Sequence, residues 1–179
     1  MQTEQLEIKD VVLVKPKVFF DNRGYLYESY NYKTWDSLNF PSNFIQDNTA
    51  HNIKKNTIRG MHYQEKYYQA KLVSCLRGSI LDVVVDVRRG SDTFGEWVSA
   101  ELSEYNNHQL WIPKGFAHGY RTLEDNTTVL YKTDQYYMPD DYRGFMWNDE
   151  YLNIDWGVTE NDDVTLSEKD IDYGPFEYE

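Results

Sequence analysis

The chain has 179 residues, 40% of them hydrophobic and 27% charged, which suits one globular domain over residues 1–179 rather than a disordered chain. Its formal net charge of -12 repels nucleic acid and anionic membrane surfaces, so neither is an expected partner. A single cysteine, Cys75, leaves no intrachain disulfide, and no apolar run approaches the ~20 residues that span a bilayer.

The N-terminal stretch MQTEQLEIKD lacks the basic and apolar regions of a secretion signal, so a cytoplasmic location is expected. Turn signals then recur at short intervals: Asn22-Arg23-Gly24, Arg77-Gly78-Ser79, Arg89-Gly90-Ser91, Pro113-Lys114-Gly115, Glu124-Asp125-Asn126 and Pro139-Asp140-Asp141. Between them the pattern predicts strands at Tyr25–Tyr30, Thr57–Tyr63, Ala70–Leu76, Ile80–Arg88, Glu96–Leu102, Gln109–Ile112, Gly119–Leu123 and Thr127–Thr133. Many short strands at this spacing argue for an all-β sandwich or barrel, not for alternating β and α units. Helix is expected only over Tyr32–Leu38 and in a short turn opened by Ser167, with Asp170 three residues on. In Ile80–Arg88, alternation places Val83, Val85 and Val87 on one face and Asp82, Val84 and Asp86 on the other, a dry side and a side that meets a polar cavity or a subunit boundary.

The four histidines are dispersed at His51, His62, His108 and His118, without the close pair that a metal-binding barrel would offer, so no metal site is expected. Strand period puts His62 on one face with Gly60 and Gln64. An isolated strand histidine is most often a partly buried ring bonded to a neighbour. The sharper alternative is a general base, because its ordinary pKa of about 6.5 lets it take and give a proton near neutrality. Arg23, Arg59, Lys71 and His118 stand in apolar or glycine-bearing segments rather than in solvated charge runs. Lys71, in the apolar strand Ala70–Leu76, would need an anionic partner if it faces inward. Tyr131, Tyr136 and Tyr137 could serve as core aromatics or as phenolic proton donors.

The order of motifs resembles that of the dTDP-4-dehydrorhamnose 3,5-epimerases. It runs through Asp21-Asn22-Arg23-Gly24, Gln46-Asp47-Asn48, Ile58-Arg59-Gly60-Met61-His62-Tyr63-Gln64, Gln69-Ala70-Lys71-Leu72-Val73, Ser91-Asp92-Thr93-Phe94-Gly95, Ile112-Pro113-Lys114-Gly115-Phe116-Ala117-His118-Gly119, Trp147-Asn148-Asp149 and Leu166-Ser167-Glu168-Lys169-Asp170. The resemblance implies a cupin-type jelly roll (a double-stranded β-helix) with a few short helices, acting as a homodimer without metal or other cofactor. It implies a nucleotide-sugar substrate, dTDP-4-dehydro-6-deoxy-D-glucose, inverted at C3 and C5 to dTDP-4-dehydro-L-rhamnose. By the same resemblance His62 is the base, Asp170 its partner, Lys71 the cation near the enolate oxygen and Tyr136 the phenol that returns a proton. Arg23, Glu28, Gln46, Asp47, Asn48, Arg59, His118 and Lys169 would then contact the substrate.

The chain departs from the family pattern at Tyr142, where a glutamate is usual, and at Gly157, where Trp-Pro becomes Trp156-Gly157 and a looser backbone is expected. The first departure keeps a close rival in view: inversion at only C3 or only C5, or a CDP- or GDP-linked sugar. A 3,4-ketoisomerase or a sugar-binding barrel without catalysis is a different class of answer, and a binding module has no need to keep His62, Asp170, Lys71 and Tyr136 together.

Overall fold

The computed structural model describes residues 1–38, 40 and 43–178. Thirteen strands form two facing antiparallel sheets and a separate hairpin. In chain order they are Gln2–Gln5 (β1), Val12–Lys15 (β2), Val18–Asp21 (β3), Gly24–Tyr27 (β4), Gln46–Asn52 (β5), Ile58–Gln64 (β6), Lys71–Arg77 (β7), Ser79–Asp86 (β8), Trp97–Ser103 (β9), Gln109–Ile112 (β10), Phe116–Thr122 (β11), Thr127–Thr133 (β12) and Tyr142–Gly144 (β13). One sheet runs β1-β2-β10-β7-β12-β5, the other β13-β6-β11-β8-β9, and β3 pairs only with β4. The helices are short, Tyr32–Ser37 (α1) and Glu168–Ile171 (α2). This is the expected jelly roll.

Strand alternation sorts the apolar side chains into three layers. Val73, Cys75, Ile80, Val84, Leu102, Leu110, Ile112 and Val129 fill the space between the sheets. Outside the five-stranded sheet, Val83, Val85 and Ala117 are roofed by Phe145, Leu152, Trp156 and Phe176 of the C-terminal segment. Outside the six-stranded sheet, Val12, Val14 and Leu72 lie under Trp35 of α1, which packs on Trp111 at 5.8 Å. Both faces of β8 are therefore buried, and its fully buried Asp82 pairs with His118, which lines a polar cavity.

The strands expected from sequence all form, but β1, β2, β3, β5 and β13 were not expected. β5 reads Gln46-Asp47-Asn48-Thr49-Ala50-His51-Asn52, polar on both faces, so hydrophobic alternation is silent there. β1 and β13 are short edge strands. The backbone at Gly157 is not loose: at φ +63, a value proline cannot adopt, its N–H donates to Asp155 and its carbonyl accepts from Arg121 at 2.8 Å.

Pairing of β6 with β11 slips between His118↔His62 and Tyr120↔Arg59. Ile58 and Met61 consequently enter the same apolar layer, while Arg59 and His62 share the cavity face. Gly60, expected beside His62, instead sits at φ +129 against β11, where a Cβ would lie 2.5 Å from the Gly119 Cα. Gly60→Ala should therefore lose roughly 1–3 kcal/mol of stability, as read by urea unfolding, because both the backbone angle and the neighbouring strand resist it.

Candidate active site

One end of the space between the sheets stays open as a cavity of about 450 Å³. Gln46, Asn48 and Ala50 of β5 enter it by alternation, as do His118 and Tyr120 of β11; Arg59 and His62 of β6 both enter because of the register slip, joined by Lys71 at the head of β7 and Tyr131 of β12. Tyr137, Tyr142, Gln69, Ser167, Lys169 and Asp170 close it from the loops and the C-terminal region.

Two histidine–carboxylate pairs face one another across the β6–β11 register. The His62 Nε2 lies 2.5 Å from Asp170 Oδ1, and the His118 Nε2 lies 2.6 Å from Asp82 Oδ1. An ionised carboxylate only accepts, so in the neutral ring Nε2 carries the hydrogen and Nδ1 of His62 is left as the atom able to take a proton. Ser167 holds the second Asp170 oxygen: its Oγ donates to Oδ2 at 2.9 Å and accepts from the Asp170 N–H at 3.1 Å, the N-cap of α2 expected from sequence. Burial alone would raise the Asp170 carboxyl, but the bonds from His62 and Ser167 hold it below the usual carboxylate range.

Burial is the largest influence on His62 and pushes it below 6.5; Asp170 opposes this, while the charges of Lys71 and His118 add to it. The ring is therefore neutral, and a competent base, through neutrality. Lys71 is brought down to about 8, again mainly by burial and against the pull of Asp82, so it stays largely protonated at pH 7.

The cavity's cations are not neutralised by contact. Among the described residues, no carboxylate lies within 4.0 Å of Lys71, Lys169 or Arg59, whose Nε donates to Asn52 at 2.7 Å. A larger cavity of about 730 Å³ on the other side of β6 differs in this respect. There Arg88 pairs with Asp86 and Asp10, Arg89 with Glu177, Lys114 with Asp134 and Arg143 with Glu65. Only the smaller cavity combines a base, a buried cation, a phenol and open positive charge, which suits proton removal beside a carbonyl on an anionic substrate.

His62, Asp170, Lys71, Arg59, His118, Gln46, Asn48 and Lys169 thus meet in one place. Four other residues named from the sequence do not. Asp47 points out of β5, opposite to Gln46 and Asn48, and pairs with Lys132 at 3.0 Å. Tyr136 is 60% exposed and outside the cavity, whereas Tyr137 lines it, held by its N–H on Gln46 Oε1 at 3.2 Å. Buried Gln64 locks the same loop, donating to the Tyr136 carbonyl and accepting from the Met138 N–H. Arg23, with 84% of its side chain exposed, pairs with Asp21 at the tip of the β3–β4 hairpin, and exposed Glu28 accepts from Asn31. Tyr142, noticed in the sequence only as a departure, is 5.1 Å from the His62 ring.

The His62 ring should titrate with a midpoint below 6.5 by NMR. Asp170→Asn should lower that midpoint further, because it removes the one strong influence holding the proton on the ring.

The family model for dTDP-4-dehydrorhamnose 3,5-epimerase matches residues 5–177. A curated relative of that name from Escherichia coli K12 is 46% identical over 172 residues, 95% of this chain and 91% of that protein. The solved structure of a Legionella pneumophila epimerase in complex with dTDP-4-keto-L-rhamnose superposes with a TM-score of 0.93 at 40% identity, over 97% of this chain and 92% of that one. A Bacillus anthracis dTDP-4-dehydrorhamnose 3,5-epimerase with TDP and pyrophosphate bound gives a TM-score of 0.93 at 41% identity, over 98% and 99% of the two chains. With the histidine–carboxylate pair, the buried cation and the jelly roll already in place, the chain belongs to the dTDP-4-dehydrorhamnose 3,5-epimerase family, an isomerase family.

Proposed function

We propose that the chain inverts C3 and C5 of dTDP-4-dehydro-6-deoxy-D-glucose to give dTDP-4-dehydro-L-rhamnose. The observation that carries this is His62, neutral and oriented by Asp170, in one cavity with the uncompensated ammonium of Lys71. The C4 ketone acidifies the hydrogens at C3 and C5. Nδ1 of His62 takes one of them, the C–H electron pair becomes a double bond to C4, and the C4=O π pair moves onto the oxygen to give an enolate. Lys71 stabilises that oxyanion in a water-poor site.

Inversion needs the new proton on the other face of the carbon. We assign its donor to Tyr137 rather than Tyr136, since Tyr137 lines the cavity with His62 while Tyr136 stays outside it; the Tyr142 ring neighbours both, at 5.2 Å from Tyr137 and 5.1 Å from His62. Solvent then restores the proton to the phenolate and removes the one on His62. Arg59 and Lys169 supply positive charge to the diphosphate, with Gln46 and Asn48 as amide contacts.

A homodimer gives Arg23 and Glu28 a role. The β3–β4 hairpin joins neither sheet and exposes Phe19, Phe20, Tyr25 and Leu26, and an isolated two-stranded hairpin is marginal in water. Seated on a second copy, it would bury those rings and carry Arg23 toward the partner's substrate. A cytoplasmic setting suits a nucleotide-sugar substrate.

In deuterated water, NMR of dTDP-4-dehydro-6-deoxy-D-glucose with the enzyme should show deuterium entering C3 and C5. Label at one carbon only would establish a monoepimerase, and none with folded protein would defeat the assignment. His62→Ala should abolish exchange while dTDP still binds. Tyr137→Phe should slow net inversion by roughly a hundredfold or more, whereas Tyr136→Phe should stay close to wild type. Light scattering should give twice the chain mass, reduced toward one chain by Phe20→Asp with Leu26→Asp.

A further inference from the structure

Two tyrosines enclose the base without taking part in its hydrogen bonding. Tyr142 lies against the His62 ring at 5.1 Å and 39°, and Tyr173 meets it edge-on at 5.7 Å and 61°. The Lys169 ammonium sits 4.3 Å from the Tyr142 ring centre and 5.9 Å from that of Tyr173. Tyr173 belongs to the C-terminal tail, which is pinned where the Met146 N–H donates to the Gly174 carbonyl at 2.9 Å and the Phe176 N–H to Asp149 at 2.8 Å. Its ring occupies space that exists only because residue 144 is glycine: a Cβ there would stand 2.6 Å from the Tyr173 Cε2 and Cζ. Gly144 is the register partner of His62, so the vacancy lies directly beside the base. Among the described residues the buried Tyr173 hydroxyl has no hydrogen-bond partner, a cost that the placement of the ring must offset.

We propose that Tyr142 and Tyr173 form an aromatic clamp of positioning residues that dries the His62–Asp170 pair and holds Lys169 by its π faces instead of by a carboxylate. A glutamate at position 142 would pair with Lys169 and cancel its charge. A phenol ring attracts the ammonium through its quadrupole and leaves the net charge for an anionic group of the substrate. The rings also remove water from the imidazole, which disfavours the imidazolium and keeps the base neutral.

The charged groups facing His62 are Asp170 and Lys169 of α2, Lys71 of β7, His118 of β11 and Arg59 of its own strand. Asp170, His118 and Arg59 are held by hydrogen bonds to Ser167, Asp82 and Asn52, and Lys169 lies nearer the Tyr142 ring, at 4.3 Å against 5.9 Å, so a change confined to the Tyr173 ring reports mainly on hydration. The role of Lys169 toward substrate rests on the function proposed above; the drying of His62 does not.

Three variants separate these parts. Tyr173→Ala should admit water and raise the NMR midpoint of His62 in the substrate-free enzyme by about half a pH unit or more. Tyr142→Leu keeps the site dry but removes the π face. It should leave that midpoint in place while raising KM roughly three- to tenfold, with kcat changed by less than about threefold. Tyr142→Phe retains a ring and should bring both values back toward wild type. An unmoved midpoint in folded Tyr173→Ala, or an unmoved KM in Tyr142→Leu, would overturn the clamp. Wild-type enzyme that exchanges no deuterium would defeat the proposed function instead, and the midpoint of His62 would still report on the drying.

Discussion

Gly60 on β6 and Gly119 on β11 run so close that a single added Cβ would strike the opposing backbone, and the strand register slips at that crossing. The slip changes the repeat of β6 from two residues to three between Arg59 and His62. Both side chains therefore reach the cavity, while Ile58 and Met61 both reach the apolar layer behind. Without it, strict alternation would turn one of the two polar residues into the layer under Phe145 and Trp156. His118 also depends on the crossing, since it stands opposite His62 on the neighbouring strand.

Electrostatics distinguishes this cavity from the larger one beside it. In a chain of net charge -12, the cations lining that larger cavity are held by carboxylates, as Arg88 is by Asp86 and Arg143 by Glu65. The carboxylates of the cavity, Asp82 and Asp170, are instead committed to histidines. That arrangement leaves Lys71, Arg59 and Lys169 without a contact anion, and their charge is best satisfied by a bound one. The same low-dielectric wall that lowers His62 and Lys71 strengthens the attraction of the Lys71 ammonium for an anionic group bound there.

The C-terminal segment has two tasks. Phe145, Leu152, Trp156 and Phe176 roof the outer face of the five-stranded sheet, a packing contribution spread over many contacts. The same segment delivers Ser167, Lys169, Asp170 and Tyr173 to the surroundings of His62. The geometry around His62 is thereby tied to the stability of a layer that does not line the cavity itself.

Much of this was legible in the sequence. Strand-length β-branched and aromatic runs between glycine-rich turns specify an all-β fold, since they need only local periodicity. Ser167 followed by Asp170 marks the cap of α2, because a cap is set by residues three apart. The motifs around His62, Lys71, His118 and Asp170 name the family and its chemistry. Orientation was another matter. Asp47 lies between two cavity residues and points away because β5 alternates, a strand with no apolar pattern to reveal it. Tyr136 and Tyr137 are indistinguishable by composition, and only the hydrogen bonds of Gln46 and Gln64 decide which phenol turns inward. Arg23 lies at the tip of a hairpin that pairs with neither sheet, and Glu28 just beyond its second strand, so neither reaches the cavity. Tertiary structure alone placed Tyr142 and Tyr173 on either side of His62, because contacts across 80 and 111 residues depend on strand register and on a missing side chain at Gly144, neither of which leaves a local signal.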